Sequence, residues 1–279
     1  MFQVDEAQLY YEVRGSGPEL IAVPGAGGDG GFFEGLAEEL ADAFTVITYD
    51  RRGNSRSTGR TSDPLSFPRQ ASDAKALISG LTRGSALVFG NSAGALIALQ
   101  LATQHPEAVR GLIAHEPPAV RVLPEGDPWR DFYERISERH AEAGPLVTAS
   151  EFIAAIRGET PFAWDPDVTD RFMNNVEHLF STEWEAFAAF EPDYEALKNA
   201  TFPILLGAGS TDRGAFYARP SVEIARRIEA PWAEFPGTHM EFTSRPYAFG
   251  AAVRTVATEM YSRTTAVPEI WEGRPDPAP

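Results

Sequence analysis

Short apolar runs alternate with longer amphipathic stretches through the first 115 residues. Leu20-Ile21-Ala22-Val23 is apolar throughout and stops at Pro24 and a glycine cluster, which predicts a strand buried on both faces. Residues 45–48, 86–89 and 111–114 have the same character, and residues 8–13 alternate as a short, half-exposed strand does. Between these runs, residues 32–41 and 68–81 carry apolar side chains at helical spacing, and 93–104 is a small-residue helix that stops before Pro106. This β-α-β-α rhythm predicts a mostly parallel sheet covered by helices on both faces.

From about residue 123 to 199 the rhythm changes. No convincing apolar strand occurs there; instead come helix-like pieces such as DFYERISERHAEA, ASEFIAAIRGE and TDRFMNNVEHLF. The stretch holds Trp129, Phe132, Tyr133, Phe152, Phe162, Trp164, Phe172, Phe180, Trp184, Phe187, Phe190 and Tyr194. The earlier pattern then resumes, with strands at 204–206 and 232–235 and helices at 221–228 and 247–261. The simplest organisation is an α/β core of residues 1–122 and 200–262, a helical cap of residues 123–199, and a tail of residues 263–279 that ends in the Pro-rich WEGRPDPAP.

Composition narrows the function. With 24 Lys+Arg against 40 Asp+Glu, the formal charge of the 279-residue chain is −16. That excess argues against nucleic acid, whose phosphates are bound by displacing counterions with Lys and Arg, and against anionic lipid. The absence of cysteine excludes disulfides, thiolate catalysis and Cys-ligated metals. Residues 1–13 lack the basic then apolar order of a secretory signal, and no stretch approaches the ~18 apolar residues of a membrane helix, so a cytoplasmic protein is expected.

Two motifs compete for the chemistry. Gly25-Ala26-Gly27-Gly28-Asp29-Gly30 fits G-x-G-x-x-G between a predicted strand and a predicted helix, and Asp50 follows about 20 residues on, as in a dinucleotide site. The bland alternative is a flexible turn in a chain with 24 glycines. Gly90-Asn91-Ser92-Ala93-Gly94 fits G-x-S-x-G between a strand and a helix, where a sharp turn presents Ser92 as a nucleophile. Any Gly/Ser-rich turn could match that pentapeptide alone. A serine nucleophile needs a base, and the base an orienting acid. Of five histidines, His239 in Gly237-Thr238-His239 follows the last predicted strand, where a parallel sheet delivers loops to a site. His140 and His178 read as surface residues, His105 as a helix end, and His115 as a structural partner at a strand end.

With the Gly-rich loop, the DRRGNSRS loop (residues 50–57), the GNSAG turn, the helical stretch and the late Gly-Thr-His, the chain resembles the α/β-hydrolase superfamily over nearly its whole length. The resemblance implies an α/β-hydrolase fold, a nucleophile Ser92, a base His239, and an oxyanion hole from the N–H groups of Ala26 and Ala93. The family's usual His-Gly at the loop start is Pro24-Gly25 here. Two residues compete as the acid. Asp212 occupies the position common in the superfamily; Glu116, in Ala114-His115-Glu116-Pro117-Pro118, is similar to the glutamate of zearalenone-lactonase-type hydrolases, which also share the Val23-Pro24 start. The second resemblance favours Glu116.

The activity implied is hydrolysis of an ester or lactone of a small to mid-sized apolar molecule, without metal or cofactor. C–C bond hydrolases and haloperoxidase-like proteins also use serine and stay open, as do a NAD-binding oxidoreductase reading Gly25–Gly30 with Asp50, and a ligand-binding protein on the same fold. The expected partner is a small-molecule substrate, not nucleic acid or membrane.

Overall fold

The computed structural model describes residues 1–157 and 164–262. The expected tail, 263–279, lies outside these residues, as does Phe162 of the aromatic set.

The chain opens with a hairpin of β1 (Phe2–Val4) and β2 (Ala7–Leu9), then enters the main sheet as β3 (Tyr11–Arg14). The single strand expected over residues 8–13 is therefore two. The break has a local cause: Tyr10 N–H donates to Ser57 Oγ at 2.9 Å and Gln8 N–H to Thr58 Oγ1 at 2.8 Å, so a loop replaces the neighbouring strand at this point.

The core then alternates as the apolar runs require. β4 (Glu19–Val23) leads through a 3₁₀ turn at Gly30–Phe33 into α1 (Glu34–Leu40), followed by β5 (Thr45–Tyr49) and α2 (Phe67–Leu81). Ser66 caps α2 by accepting from Arg69 N–H. β6 (Ala86–Asn91), α3 (Ala93–Gln104) and β7 (Val109–His115) complete the first half. α3 lies directly behind the sheet, which is why its sequence is apolar on nearly every side rather than on one stripe.

Between β7 and the next strand, the described residues form helices and turns: α4 (Pro128–Ala143), α5 (Pro145–Arg157), α6 (Pro166–His178), α7 (Trp184–Ala189) and α8 (Tyr194–Lys198). A π-helical turn, Leu179–Glu183, joins α6 to α7. β8 (Ile204–Gly209), α9 (Arg219–Ile228), β9 (Trp232–Phe235), α10 (Glu241–Ser244) and α11 (Pro246–Ser262) close the chain.

The seven-stranded sheet has the order β3-β5-β4-β6-β7-β8-β9, all parallel except the edge strand β3. The strand order reverses between β4 and β6, the position at which open α/β sheets form a crevice beyond their carboxyl ends. Register aligns those ends: Val23 pairs with Gly90, Asn91 with His115, and His115 with Gly207. Ser92 and Glu116 thus leave the sheet at one level.

Phe249 of α11 is fully buried against Phe235, Phe242, Phe89 and the His115 ring, at centroid distances of 5.4, 5.5, 6.0 and 5.1 Å. Phe249→Ala should lower the unfolding free energy by about 3–5 kcal/mol through lost burial and the cavity left behind. Leu146→Ala, at a position 62% exposed, should change it by less than about 0.5 kcal/mol. Urea unfolding of both variants checks this contrast.

Candidate active site

Ser92 stands at the junction of β6 and α3 with φ 56° and ψ −133°, a conformation that L side chains rarely adopt. The surroundings hold it there. Ser92 N–H donates to His115 O at 3.0 Å, and Ser92 O accepts from Ala95 N–H at 2.8 Å. The turn also needs close packing: a Cβ at Gly94 would collide with the Val23 carbonyl.

One strand over, Glu116 follows β7 with φ 51° and is completely buried. Its Oε1 accepts from Gly209 N–H at 2.8 Å, and its Oε2 lies 2.6 Å from His239 Nδ1. Burial pushes the Glu116 carboxyl up, but the neighbouring imidazoles and the Gly209 N–H outweigh it and hold the group below the ordinary carboxylate range. His239 follows β9 and is 1% exposed, and the Tyr217 ring stacks on its imidazole with centroids 4.0 Å apart. Ser92 and His239 line the same cleft.

Asp212 takes a different place. It lies in the loop after β8, hydrogen-bonded to Tyr217 and Thr211, and burial followed by the charge of Glu116 raises its carboxyl. The imidazole Nδ1 is thus held by Glu116, while Asp212 holds the tyrosine stacked on the ring. His115 sits apart from the cleft, enclosed by Phe89, Phe235 and Phe249, with Nδ1 2.6 Å from Asn91 Oδ1. Burial lowers its pKa to about 4, so it is neutral at pH 7 and donates Nδ1–H to Asn91.

The glycine-rich loop after β4 curls against the serine turn. A Cβ placed on Gly25 would lie 3.1 Å from Ser92 Cβ and 3.5 Å from the Ala93 nitrogen, so the loop packs directly on the serine turn, and Gly25, Ala26 and Ser92 line one cleft. Gly28 N–H donates to Gly25 O at 3.1 Å, and Gly27 has φ 79°, the positive value that a type II turn needs at its third residue. Asp50 is engaged elsewhere: its carboxylate accepts from Gly30 N–H at 2.8 Å and from Arg56 Nε at 2.7 Å, and it is fully buried. Its position therefore serves to anchor the two loops, and it presents no free carboxylate to a ribose. Among the described residues, no cluster of three His, Cys, Asp or Glu side chains could hold a metal ion.

The cleft is lined mostly by apolar side chains. Phe32, Phe33 and Phe242 line it from the sheet side, and Phe152, Ile156, Trp164 and Phe172 from the helical stretch. Most of the aromatics in that stretch pack on one another instead. Tyr133 and Trp184 lie 4.5 Å apart, and Phe132 stacks on Phe216 at 4.4 Å. His178 departs from its expected surface position: its side chain is only 11% exposed, with Nε2 3.8 Å from Glu183. Sequence reasoning also missed Tyr217, whose ring has no motif around it, and the buried Arg51–Glu183 pair, whose partners are 132 residues apart.

The serine turn, the histidine loop and the strand order are those of an α/β hydrolase, and comparison with known proteins agrees. A family model for the alpha/beta hydrolase fold matches residues 18–225, and the chain belongs to this family. It is a hydrolase that resembles the zearalenone hydrolase branch. A hydrolase of Bacillus subtilis, YraK, is 35% identical over 250 residues, covering 86% of this chain and 89% of that protein. The zearalenone hydrolase of Cladophialophora bantiana is 27% identical over 259 residues, covering 89% and 92%. The structure of a thermophilic esterase from Thermogutta terrifontis shares the fold with a TM-score of 0.72 at 22% identity, covering 91% of this chain and 94% of that one.

The neutrality of His115 has a pH consequence. An unfolded chain protonates this residue at the ordinary value of 6.5 and the folded chain only near 4, so the unfolded state binds more protons between those values. Stability from this residue is complete above pH 6.5 and declines as pH falls from 6.5 toward 4. The window amounts to about 3 kcal/mol. His115→Gln should flatten the dependence of unfolding free energy on pH by about that amount, measured by urea unfolding from pH 7 to 4. An unchanged slope would show that the ring is not held neutral.

Proposed function

We propose that this hydrolase cleaves a carboxylic ester or lactone of a mid-sized, largely apolar molecule through an acyl-enzyme on Ser92. The observation that carries the reading is the 2.6 Å contact between His239 Nδ1 and the buried Glu116 carboxylate. That contact fixes the tautomer with the proton on Nδ1 and leaves Nε2 as an acceptor. Nε2 takes the Ser92 proton as Oγ attacks the carbonyl carbon, and the Ala26 and Ala93 N–H groups receive the oxyanion. Collapse of the tetrahedral intermediate expels the alcohol oxygen, which takes the proton from Nε2. A water then gives its proton to Nε2 and attacks the acyl carbon, and collapse of the second tetrahedral intermediate returns that proton from Nε2 to Ser92 Oγ and releases the acid. Glu116 stabilises the imidazolium in both halves of the reaction and keeps its own negative charge.

The apolar lining supports an apolar substrate, with Phe152, Ile156, Trp164 and Phe172 of the helical stretch acting as a cap. The kinship with zearalenone hydrolase makes zearalenone a compound to assay beside simple aryl esters.

Ser92→Ala should abolish both turnover and labelling by a fluorophosphonate while leaving the fold intact. Glu116→Gln should lower kcat by about 10²-fold or more with KM nearly unchanged, because its charge acts on a cation that forms only during reaction. Asp212→Asn should lower it far less. The deciding measurement is the pair of kcat values on one activated aryl ester, with both variants melting near the parent. A dead Asp212→Asn beside an active Glu116→Gln would move the acid to the loop after β8.

A further inference from the structure

The peptide unit joining Gly25 to Ala26 has one face in the cleft and one in the protein. A trans peptide is planar, with its C=O and N–H pointing in opposite directions. Whatever grips the Gly25 carbonyl therefore aims the Ala26 N–H. Gly28 N–H holds that oxygen within the turn, and the grip from outside the turn comes from Arg51, whose Nε and Nη2 donate to Gly25 O at 3.2 and 3.1 Å. Arg51 is completely buried, and its other contacts are charged: Nη1 and Nη2 meet Glu183 Oε1 and Oε2 at 2.8 and 2.7 Å.

Glu183 is no neighbour in sequence. It ends the π-helical turn between α6 and α7, in the helical stretch above the cleft, and is 1% exposed. Asn54 Nδ2 also donates to it, at 3.0 Å. Two further side chains of α6 hold the same loop: Asn175 Nδ2 donates to Gly27 O at 2.9 Å, and Arg171 Nε to Asp29 Oδ2 at 2.5 Å. The ring of Phe172, on the same helix, lies over Gly27 and also lines the cleft. A wide π turn within a helical run places one side chain out of the regular spacing, a device that recurs at functional sites. Here it directs a carboxylate onto Arg51.

We propose that Glu183 is a positioning residue, acting through Arg51 to orient and polarise the Ala26 N–H that receives the oxyanion. The inference rests on the acyl-enzyme reading above. The two Arg51 donors, added to the Gly28 N–H, draw electron density toward the Gly25 oxygen, which makes the N–H of the same peptide a stronger donor. The guanidinium can hold that carbonyl only while a fixed carboxylate keeps it from turning away. The helices over the cleft thereby take part in forming the oxyanion hole as well as the substrate pocket.

The test compares the parent with the double variant Arg51→Met/Glu183→Leu, which removes both charges together and leaves neither stranded. The substrate is 4-nitrophenyl acetate, and the transition-state probe is benzeneboronic acid, whose tetrahedral serine adduct places an oxygen where the oxyanion forms. The expected result is a kcat lowered about 10–100-fold, less than the ~10²–10³-fold seen when an oxyanion donor is removed outright, because here the donor is only misaligned. KM should stay within about twofold, boronate affinity should fall by a factor similar to kcat, and the melting temperature should stay near that of the parent. Parent-like kcat and boronate affinity in a folded double variant would overturn the proposal. So would a rise in KM with kcat and boronate affinity unchanged, which is the mark of a pocket effect alone. If the double variant does not fold, Glu183→Gln and Glu183→Asp read the same contact by the same two ratios. Failure of the underlying reading is separable, because it would appear first as Ser92-independent turnover in the parent.

Discussion

A carboxylate with no access to water must be neutralised and hydrogen-bonded where it stands. Glu116 is such a group, and its needs organise the carboxyl edge of the sheet. One oxygen takes the Gly209 N–H at the end of β8, and the other takes the imidazole carried by the loop after β9. Three strands must therefore end in fixed relation. The registers of β7 with β8 and of β8 with β9 supply that relation from strand pairing alone. Any slip would move the partners off the carboxylate and leave a buried charge unpaired, so the chemistry and the register constrain each other.

The sheet was legible because burial on two faces leaves a plain mark, an apolar run closed by Gly or Pro. Leu20–Val23 and Ile204–Leu206 carry that mark, and they lie within β4 and β8. The edge was less legible. β3 is paired on one side only and read as one strand with β2, since nothing in the alternation of residues 8–13 announces that Ser57 and Thr58 would tie down Tyr10 and Gln8. The π turn at Leu179–Glu183 was equally silent, because one extra residue in a turn hardly alters an amphipathic pattern.

Within the site, legibility followed how local each constraint is. Ser92 could be read from five residues, because the glycines that let the turn close are its own neighbours. The position of His239 could be inferred from the strand before it. The choice between Glu116 and Asp212 was not contained in either loop, and only the resemblance to one branch separated them. The structure places the two carboxylates on different atoms, Glu116 on the imidazole Nδ1 and Asp212 on the tyrosine that stacks on the ring. The apparent dinucleotide motif has a local explanation too. Its glycines make a turn against Ser92, and Asp50 anchors Gly30 and Arg56.

Glu116 and His239 are 123 residues apart, with the whole helical stretch between them. A ribosome delivers the serine turn and the carboxylate well before the imidazole, since synthesis runs from the amino terminus. Until then Glu116 lacks the imidazole, and before β8 is made it lacks the Gly209 N–H as well. A nascent chain that stops short of β9 thus holds Ser92 and Glu116 without the imidazole that shares their edge of the sheet. The burial of one glutamate therefore waits on strands and loops made long after it, and the carboxyl edge of the sheet is settled only when β8 and the loop after β9 have joined it.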